Sequence, residues 1–231
     1  MASQGDSSQA EARHTDRSEI AHPWFAAAYH CTEPLSERVF GPHREYLVAG
    51  LSGRILDLGA GAGAMIPYVD DVRADGSELA YVGIEPDPHM RRRAAERAAS
   101  VALSTRLDDA RAEVLPYPDD SFDTVVAAVV FCTIEEPEAA LDEVARVLEP
   151  GGEFRFLEHV GADGWRRRVQ STLTPVWKRL AGGCHLDRET VPLFVGHDAF
   201  DVIELERLDS ATFPAAPVVR GRLRRKRAGL L

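Results

Sequence analysis

The chain has 231 residues, 45% of them hydrophobic and 28% charged, with a formal net charge of −10. That length and balance suit one folded domain with appendages and exclude collagenous, intrinsically disordered and disulfide-scaffold classes. The acidic balance also disfavours nucleic acid as a partner, because a polyphosphate selects a basic surface.

Residues 1–21 are rich in Ser, Gln, Asp and Glu and hold too little apolar area to offset their ordering entropy, so they read as a polar tail. No apolar h-region of a secretory signal is visible in residues 1–20, and the longest apolar run, residues 125–134, falls far short of the ~20 residues of a membrane helix. The three cysteines, Cys31, Cys132 and Cys184, are scattered without CxxC spacing. That scatter argues against a disulfide framework or a structural zinc site and predicts a metal-free protein of the reducing cytoplasm.

From residue 54 onward, short β-branched or apolar runs alternate with helical patterns. Strands are predicted at 54–58, 81–85, about 103–107, 124–130 and 153–160, and two further ones at 202–208 and 218–223. Between them, 88–99 is an Arg- and Ala-rich helix former, and 137–148 places Leu141, Val144, Ala145 and Leu148 on one face. Residues 149–152 then stop that helix and turn the chain. Residues 165–180 read as a helix that Pro175 should break in two, since proline has no amide to donate. This alternation predicts an α/β, Rossmann-like doubly wound, mostly parallel seven-stranded sheet with helices on both faces. The predicted single domain spans 22–231, with a cap at 22–50, a cofactor-binding core at 51–160, a lid region at 161–200 and final strands with a basic tail at 201–231. The last twelve residues carry Arg220, Arg222, Arg224, Arg225, Lys226 and Arg227 and no acid. They read as a solvated terminus, with weak peripheral contact to an anionic membrane, or contact with RNA, as the alternative.

Residues 57–64, Asp-Leu-Gly-Ala-Gly-Ala-Gly-Ala, follow the first strand and open a helix, where glycines let backbone approach a ligand closely. Gly59, Gly61 and Ala64 also satisfy the dinucleotide pattern GxGxxG/A, which keeps a nicotinamide oxidoreductase open as an alternative. Asp57 separates the two readings: a carboxylate in that crevice repels a pyrophosphate and attracts a ligand carrying an ammonium and a sulfonium. S-adenosylmethionine is such a ligand, and Glu85 at the tip of the next strand is placed to take its ribose hydroxyls.

At this point the sequence resembles the class I S-adenosylmethionine-dependent methyltransferases. The resemblance runs through Asp57 to Gly63 with Gly59, Ala60 and Gly61, through Gly83 to Met90 with Glu85 and Pro86, through residues 112–123, and through residues 139–152. It implies that backbone at Ala112 and Glu113 meets the adenine and that Val129 packs beside the cofactor. Arg111 stands where many members carry an acid for the adenine amino group. Tyr29, after Trp24-Phe25, is the candidate for a residue that closes over the cofactor.

In the second half, Glu158-His159-Val160, residues 173–177 and residues 182–189 together resemble the small-molecule thiol methyltransferase group of that class. The implied activity is methyl transfer to a small, partly apolar acceptor, with a thiol first. Quinone-precursor C-methylation, phospholipid or amine N-methylation, and a non-catalytic cofactor-binding role are the alternatives. A thiol has a pKa near ~8.5 and must lose its proton, so a base is useful. His159 is the candidate, with His185 second. Cys132 and Thr133 are expected to line the pocket.

Overall fold

The computed structural model describes residues 23–76, 78–208 and 216–227. The polar stretch 1–21, the loop containing Pro214 and the last four residues lie outside these, as do the side chains of residues 23–32, Tyr29 among them. Among the described residues there are seven strands: β1 (Gly53–Leu58), β2 (Leu79–Ile84), β3 (Thr105–Asp108), β4 (Phe122–Ala128), β5 (Leu148–His159), β6 (Phe200–Leu208) and β7 (Val218–Arg225). They form one sheet in the order β3-β2-β1-β4-β5-β7-β6. The five from β3 to β5 pair in parallel, and β7 runs antiparallel to both of its neighbours. Helices α1 (Pro23–Val48), α2 (Ile66–Ala74), α3 (Pro88–Ala98), α4 (Pro137–Val147), α5 (Gly164–Leu180) and α6 (Thr190–Gly196) complete the described fold.

Parallel strands need crossovers, and the helices that supply them cover both faces, which is why β1 and β4 read as nearly continuous apolar runs. Leu56, Leu58, Val125 and Phe154 pack on one side with Leu141 and Val144 of α4. Ile55, Val126 and Leu157 pack on the other with Leu47, Ile66 and Val69. The first side is thickened by a ring cluster in which Phe131 meets Phe194 at 4.9 Å and Phe154 meets it at 5.4 Å. Because strand order reverses between β1 and β4, the crevice beyond their carboxyl ends is the topological switch point where such sheets bind ligands.

Several boundaries differ from the sequence expectation, each for a physical reason. β4 ends at Ala128, two residues early, because Val129 swings into the left-handed region at φ 59. Residues 149–152 do stop α4, yet they form an excursion inside β5: pairing steps from Phe122↔Leu148 to Thr124↔Glu153, and Gly151 at φ 95 absorbs the bend. α5 runs unbroken through Pro175. Pro175 and Ser171, whose carbonyl loses its amide partner there, are both exposed, so water replaces the missing bond.

The basic C-terminal residues are the largest correction. Arg220 pairs with Glu206 at 2.7 Å, Arg222 and Arg224 with Glu153 at 2.7 and 3.2 Å, and Arg225 with Asp120. They belong to β7 and pair with acids of β5, β6 and the turn before β4, and Lys226 lies 3.9 Å from Asp201, which leaves the expected solvated tail only Arg227 of its six charges.

Glu153 is the centre of that network. It also accepts from Arg155 at 3.1 Å, whose guanidinium is buried and donates to the carbonyls of Leu47 and Ala49 at 3.0 and 2.7 Å. Burial opposes ionisation of Glu153, but the hydrogen bond from Arg222 and the charges of Arg155 and Arg222 outweigh it and hold the carboxyl below its ordinary range. A depressed carboxylate contributes stability above the unfolded pKa and loses it as pH falls through the folded one. Glu153→Ala is therefore expected to cost about 1–2 kcal/mol at neutral pH after solvent screening, and less at an acid pH below the ordinary carboxylate range. Urea unfolding of both proteins at the two pH values checks this.

Candidate active site

The loop between β1 and α2 owes its glycines to close packing. Gly59 sits at φ 68, and a Cβ there would lie 2.2 Å from Cγ2 of Val130. Gly63, at φ 77, would bring a Cβ within 2.8 Å of Ile66 Cδ1 and 3.0 Å of Ala94 Cα. Ala60 donates its amide to the Ile84 carbonyl at 2.8 Å, which ties the loop to the end of β2. The Glu85 carboxylate accepts from the amides of Gly61 at 2.9 Å and Asp87 at 2.8 Å. One of the loop amides expected to face a ligand is thus already engaged by Glu85.

Asp57 is 2% exposed and accepts a hydrogen bond from the Tyr81 hydroxyl. Burial pushes its carboxyl up to about 7, opposed by the Tyr81 bond and reinforced by the charge of Glu85. Glu85 is likewise raised to about 7, by burial against the two backbone hydrogen bonds. Two acids held near neutrality in one crevice favour a cationic, hydroxyl-bearing occupant, which returns both to their ionised forms.

These groups open into a cavity of about 730 Å³ at the switch point. Asp57, Gly59, Ala60, Gly61, Glu85, Pro86, Ala112, Glu113 and Val129 all line it, as do Cys132, Thr133 and His159. Gly63 does not; its role is the tight packing of loop against α3. Helix α1 adds Ser36, Phe40 and Arg44 from one face, and α5 with the turn after it adds Trp177 and Ala181 to Cys184. Arg111 is bound by Glu113 at 3.1 Å and Glu135 at 2.9 Å, so its charge is compensated at the rim. The left-handed conformation of Val129 is strained for a β-branched residue and is held by its amide bond to Leu157 O at 2.7 Å.

At the tip of β5, Glu158 and His159 meet Cys132 and Cys184 from two distant segments. Glu158, fully buried, accepts from the amides of Val130 and Phe131, both at 2.8 Å, and so fixes the turn after β4. Burial raises its carboxyl to about 7. His159 is 2% exposed, with Nε2 at 2.9 Å from the Sγ of Cys184. Burial alone would lower the imidazole pKa, but Cys184, by contact and by charge, and Glu158 raise it above its ordinary value. The Cys184 thiol is drawn down by the hydrogen bond from Cys132 and by His159, while Cys132 is raised. The expected second histidine, His185, does not line the cavity; its amide binds the Cys132 carbonyl at 2.9 Å. Tyr81 and Cys184 had no assigned role in the sequence reading. A tyrosine two residues before the strand-tip Gly-Ile-Glu is the only local hint of the first, and Cys184 stands 52 positions after Cys132.

Residues 56–156 match the family described as methyltransferase domain. Over 187 residues the chain is 31% identical to thiol S-methyltransferase TMT1B of Homo sapiens, which covers 76% of this chain and 72% of that protein. It is 34% identical over 113 residues to phosphatidylethanolamine N-methyltransferase of Cereibacter sphaeroides, covering 48% of this chain and 53% of the relative. Among solved structures, N-methyltransferase NodS from Bradyrhizobium japonicum WM9, in complex with S-adenosyl-L-homocysteine, superposes with a TM-score of 0.60 at 18% identity over 82% of this chain and 86% of NodS. The [4+2]-cyclase SpnF gives 0.65, also at 18% identity, over 90% of this chain and 98% of SpnF. The chain belongs to the class I S-adenosylmethionine-dependent methyltransferases. It is a methyltransferase enzyme, and since one fold serves many reactions the acceptor is argued from the site.

Proposed function

We propose that the protein binds S-adenosylmethionine in the β1–β4 crevice and methylates the sulfur of a small, partly apolar thiol. The observation that carries the acceptor is the buried His159–Cys184 contact at the cavity wall, on the strand tip beside the cofactor crevice. Similarity to a thiol S-methyltransferase across 187 residues supports it.

The residues present fit the cofactor. A cavity of about 730 Å³ suits a ligand of that size, the Gly59 turn admits no side chain, and the buried Asp57 and half-buried Glu85 offer carboxylates to a cation and to ribose hydroxyls. We assign Asp57, Gly59, Ala60, Gly61, Glu85 and Pro86 to its methionine and ribose parts, Ala112 and Glu113 to the adenine, and Val129 to packing beside it. When bound, the cofactor supplies a methyl group activated by a sulfonium. The chain's part is to exclude water, orient the acceptor and keep its sulfur ionised. Positioning and desolvation provide most of the rate, and His159 is the catalytic residue at the sulfur. The free thiols Cys132 and Cys184 support a reducing, cytoplasmic setting.

Ionised Asp57 and Glu85 bind the cofactor better than their protonated forms, and both titrate near 7. Affinity is therefore expected to rise from pH 6 to pH 8 and to level off above, with each acid contributing up to about tenfold per pH unit below its pKa. Calorimetric titration across that range checks it. The function itself is tested by methyl transfer to a panel of thiols, amines and quinols, with NADH binding as a control. Transfer to thiols in preference to the other classes is expected. Transfer confined to amines or quinols contradicts the acceptor assignment, and tight NADH binding without S-adenosylmethionine binding contradicts the cofactor.

A further inference from the structure

Cys132, His159 and Cys184 come from three separate segments: the turn after β4, the end of β5 and the turn after α5. Their ligand atoms nevertheless lie within 4.8 Å of one another, all three residues are buried, and all three line the cavity. We propose that this triad binds one Zn²⁺ ion, with the fourth position open to the cavity and filled by the acceptor sulfur.

Two thiolates and one imidazole form the ligand set of a catalytic zinc site, in which three protein groups leave a position for water or substrate. A tetrahedral ion with Zn–S near ~2.3 Å and Zn–N near ~2.0 Å sets its ligand atoms about 3.5 to 3.8 Å apart. The triad already lies inside 4.8 Å, and the 2.9 Å contact of His159 Nε2 with Cys184 Sγ has only to open by about 0.6 Å, so small side-chain shifts admit the ion.

The cradle is built to hold those positions. Glu158 pins the turn carrying Cys132 through the amides of Val130 and Phe131. Arg188 grips the same turn at the carbonyls of Phe131, at 2.7 Å, and Ile134. The turn carrying Cys184 is fastened to it by the His185 amide on the Cys132 carbonyl, and to α5 by Gly183 N on Lys178 O at 2.9 Å. This is the fixed scaffolding around first ligands that metal sites require.

The ion would explain how a deeply buried site ionises a thiol. On loading, Cys132 and Cys184 each release a proton, and their two charges balance that of Zn²⁺. The acceptor R–SH gives its proton to solvent as its sulfur joins the metal. A lone pair on that thiolate then forms the new S–CH₃ bond while the methyl–sulfonium bond breaks, its electron pair returning to the departing sulfur. The product thioether is neutral and a poorer ligand than a thiolate, so it leaves the metal. His159 does its work on the acceptor, in this scheme, by ligation. The identity of the fourth ligand rests on the thiol reading above; the metal site itself does not.

The test uses the reduced full-length protein, stripped with a chelator under anaerobic conditions and titrated with Co²⁺. One ion per chain is expected, with the intense visible bands of tetrahedral cobalt and a thiolate charge-transfer band, displaced by Zn²⁺ and perturbed by an alkyl thiol. Both bands should be lost in Cys132→Ser and in Cys184→Ser, with circular dichroism confirming that each variant is folded. A variant that fails this check is replaced by alkylation of the two cavity thiols in a Cys31→Ser background, which should likewise abolish cobalt binding. No uptake by the reduced protein, a six-coordinate spectrum, or unchanged bands in both variants overturns the site. Full thiol methylation by the stripped protein overturns it while sparing the thiol reading. Tetrahedral cobalt that no thiol perturbs, in a protein that methylates no thiol, keeps the metal and removes the fourth ligand and the thiol reading with it.

Discussion

His159→Ala is expected to lower turnover with an alkyl thiol by about 100- to 10,000-fold while leaving S-adenosylmethionine affinity nearly unchanged. The imidazole lies against Cys184 at the acceptor side of the cavity, whereas the cofactor groups stand at and beyond the carboxyl ends of β1 to β4. Its loss therefore removes the means of ionising the acceptor and little of the cofactor's binding energy. An aromatic thiol that is already ionised at neutral pH needs no such help, so its methylation should survive the substitution far better. Steady-state kinetics on the two acceptors, with calorimetry for the cofactor, read both effects. Equal losses for the two thiols, or none for either, remove His159 from the chemistry.

The second large effect lies at the cofactor. Asp57→Ala and Glu85→Ala each delete a crevice carboxylate that offers charge-assisted hydrogen bonds, worth about 1.5 to 3 kcal/mol apiece, or roughly ten- to hundredfold in affinity. The fold should suffer little. Both acids are held against their preference, with carboxyls raised to about 7 by burial, so neutral replacements lift a desolvation cost from the unliganded protein. In Asp57→Ala the Tyr81 hydroxyl loses its acceptor, which offsets part of that gain. Unchanged affinity in both variants contradicts the assignment of the crevice.

The order of elements was legible because parallel strands buried on both faces leave continuous apolar runs, and α4 leaves its i, i+3, i+4, i+7 stripe. The cofactor half of the site was legible for a related reason. A glycine turn, Asp57 at one strand tip and Glu85 at the next are local in sequence and need only the sheet to bring them together. Gly63 shows the limit: the same motif carries it, yet its task is packing against Ala94. The acceptor half depends on contacts of long range. Nothing near Cys132 announces Cys184, and a cysteine scatter that argued against metal binding becomes a cluster once β4, β5 and α5 are assembled. β7 misled in the opposite direction, since a run of arginines looks the same in a solvated tail as in a strand that faces Glu153 and Glu206. Pro175 was overread because the exposure of its turn decides its cost, and exposure is not local information.

The central claim, that a methyl group passes to sulfur, is tested most directly by supplying the enzyme with isotopically methyl-labelled S-adenosylmethionine and an aminothiol, in which nitrogen and sulfur compete within one molecule. The account predicts label in the S-methyl thioether with the amine unmodified. Label on nitrogen, with the thiol left free, contradicts it.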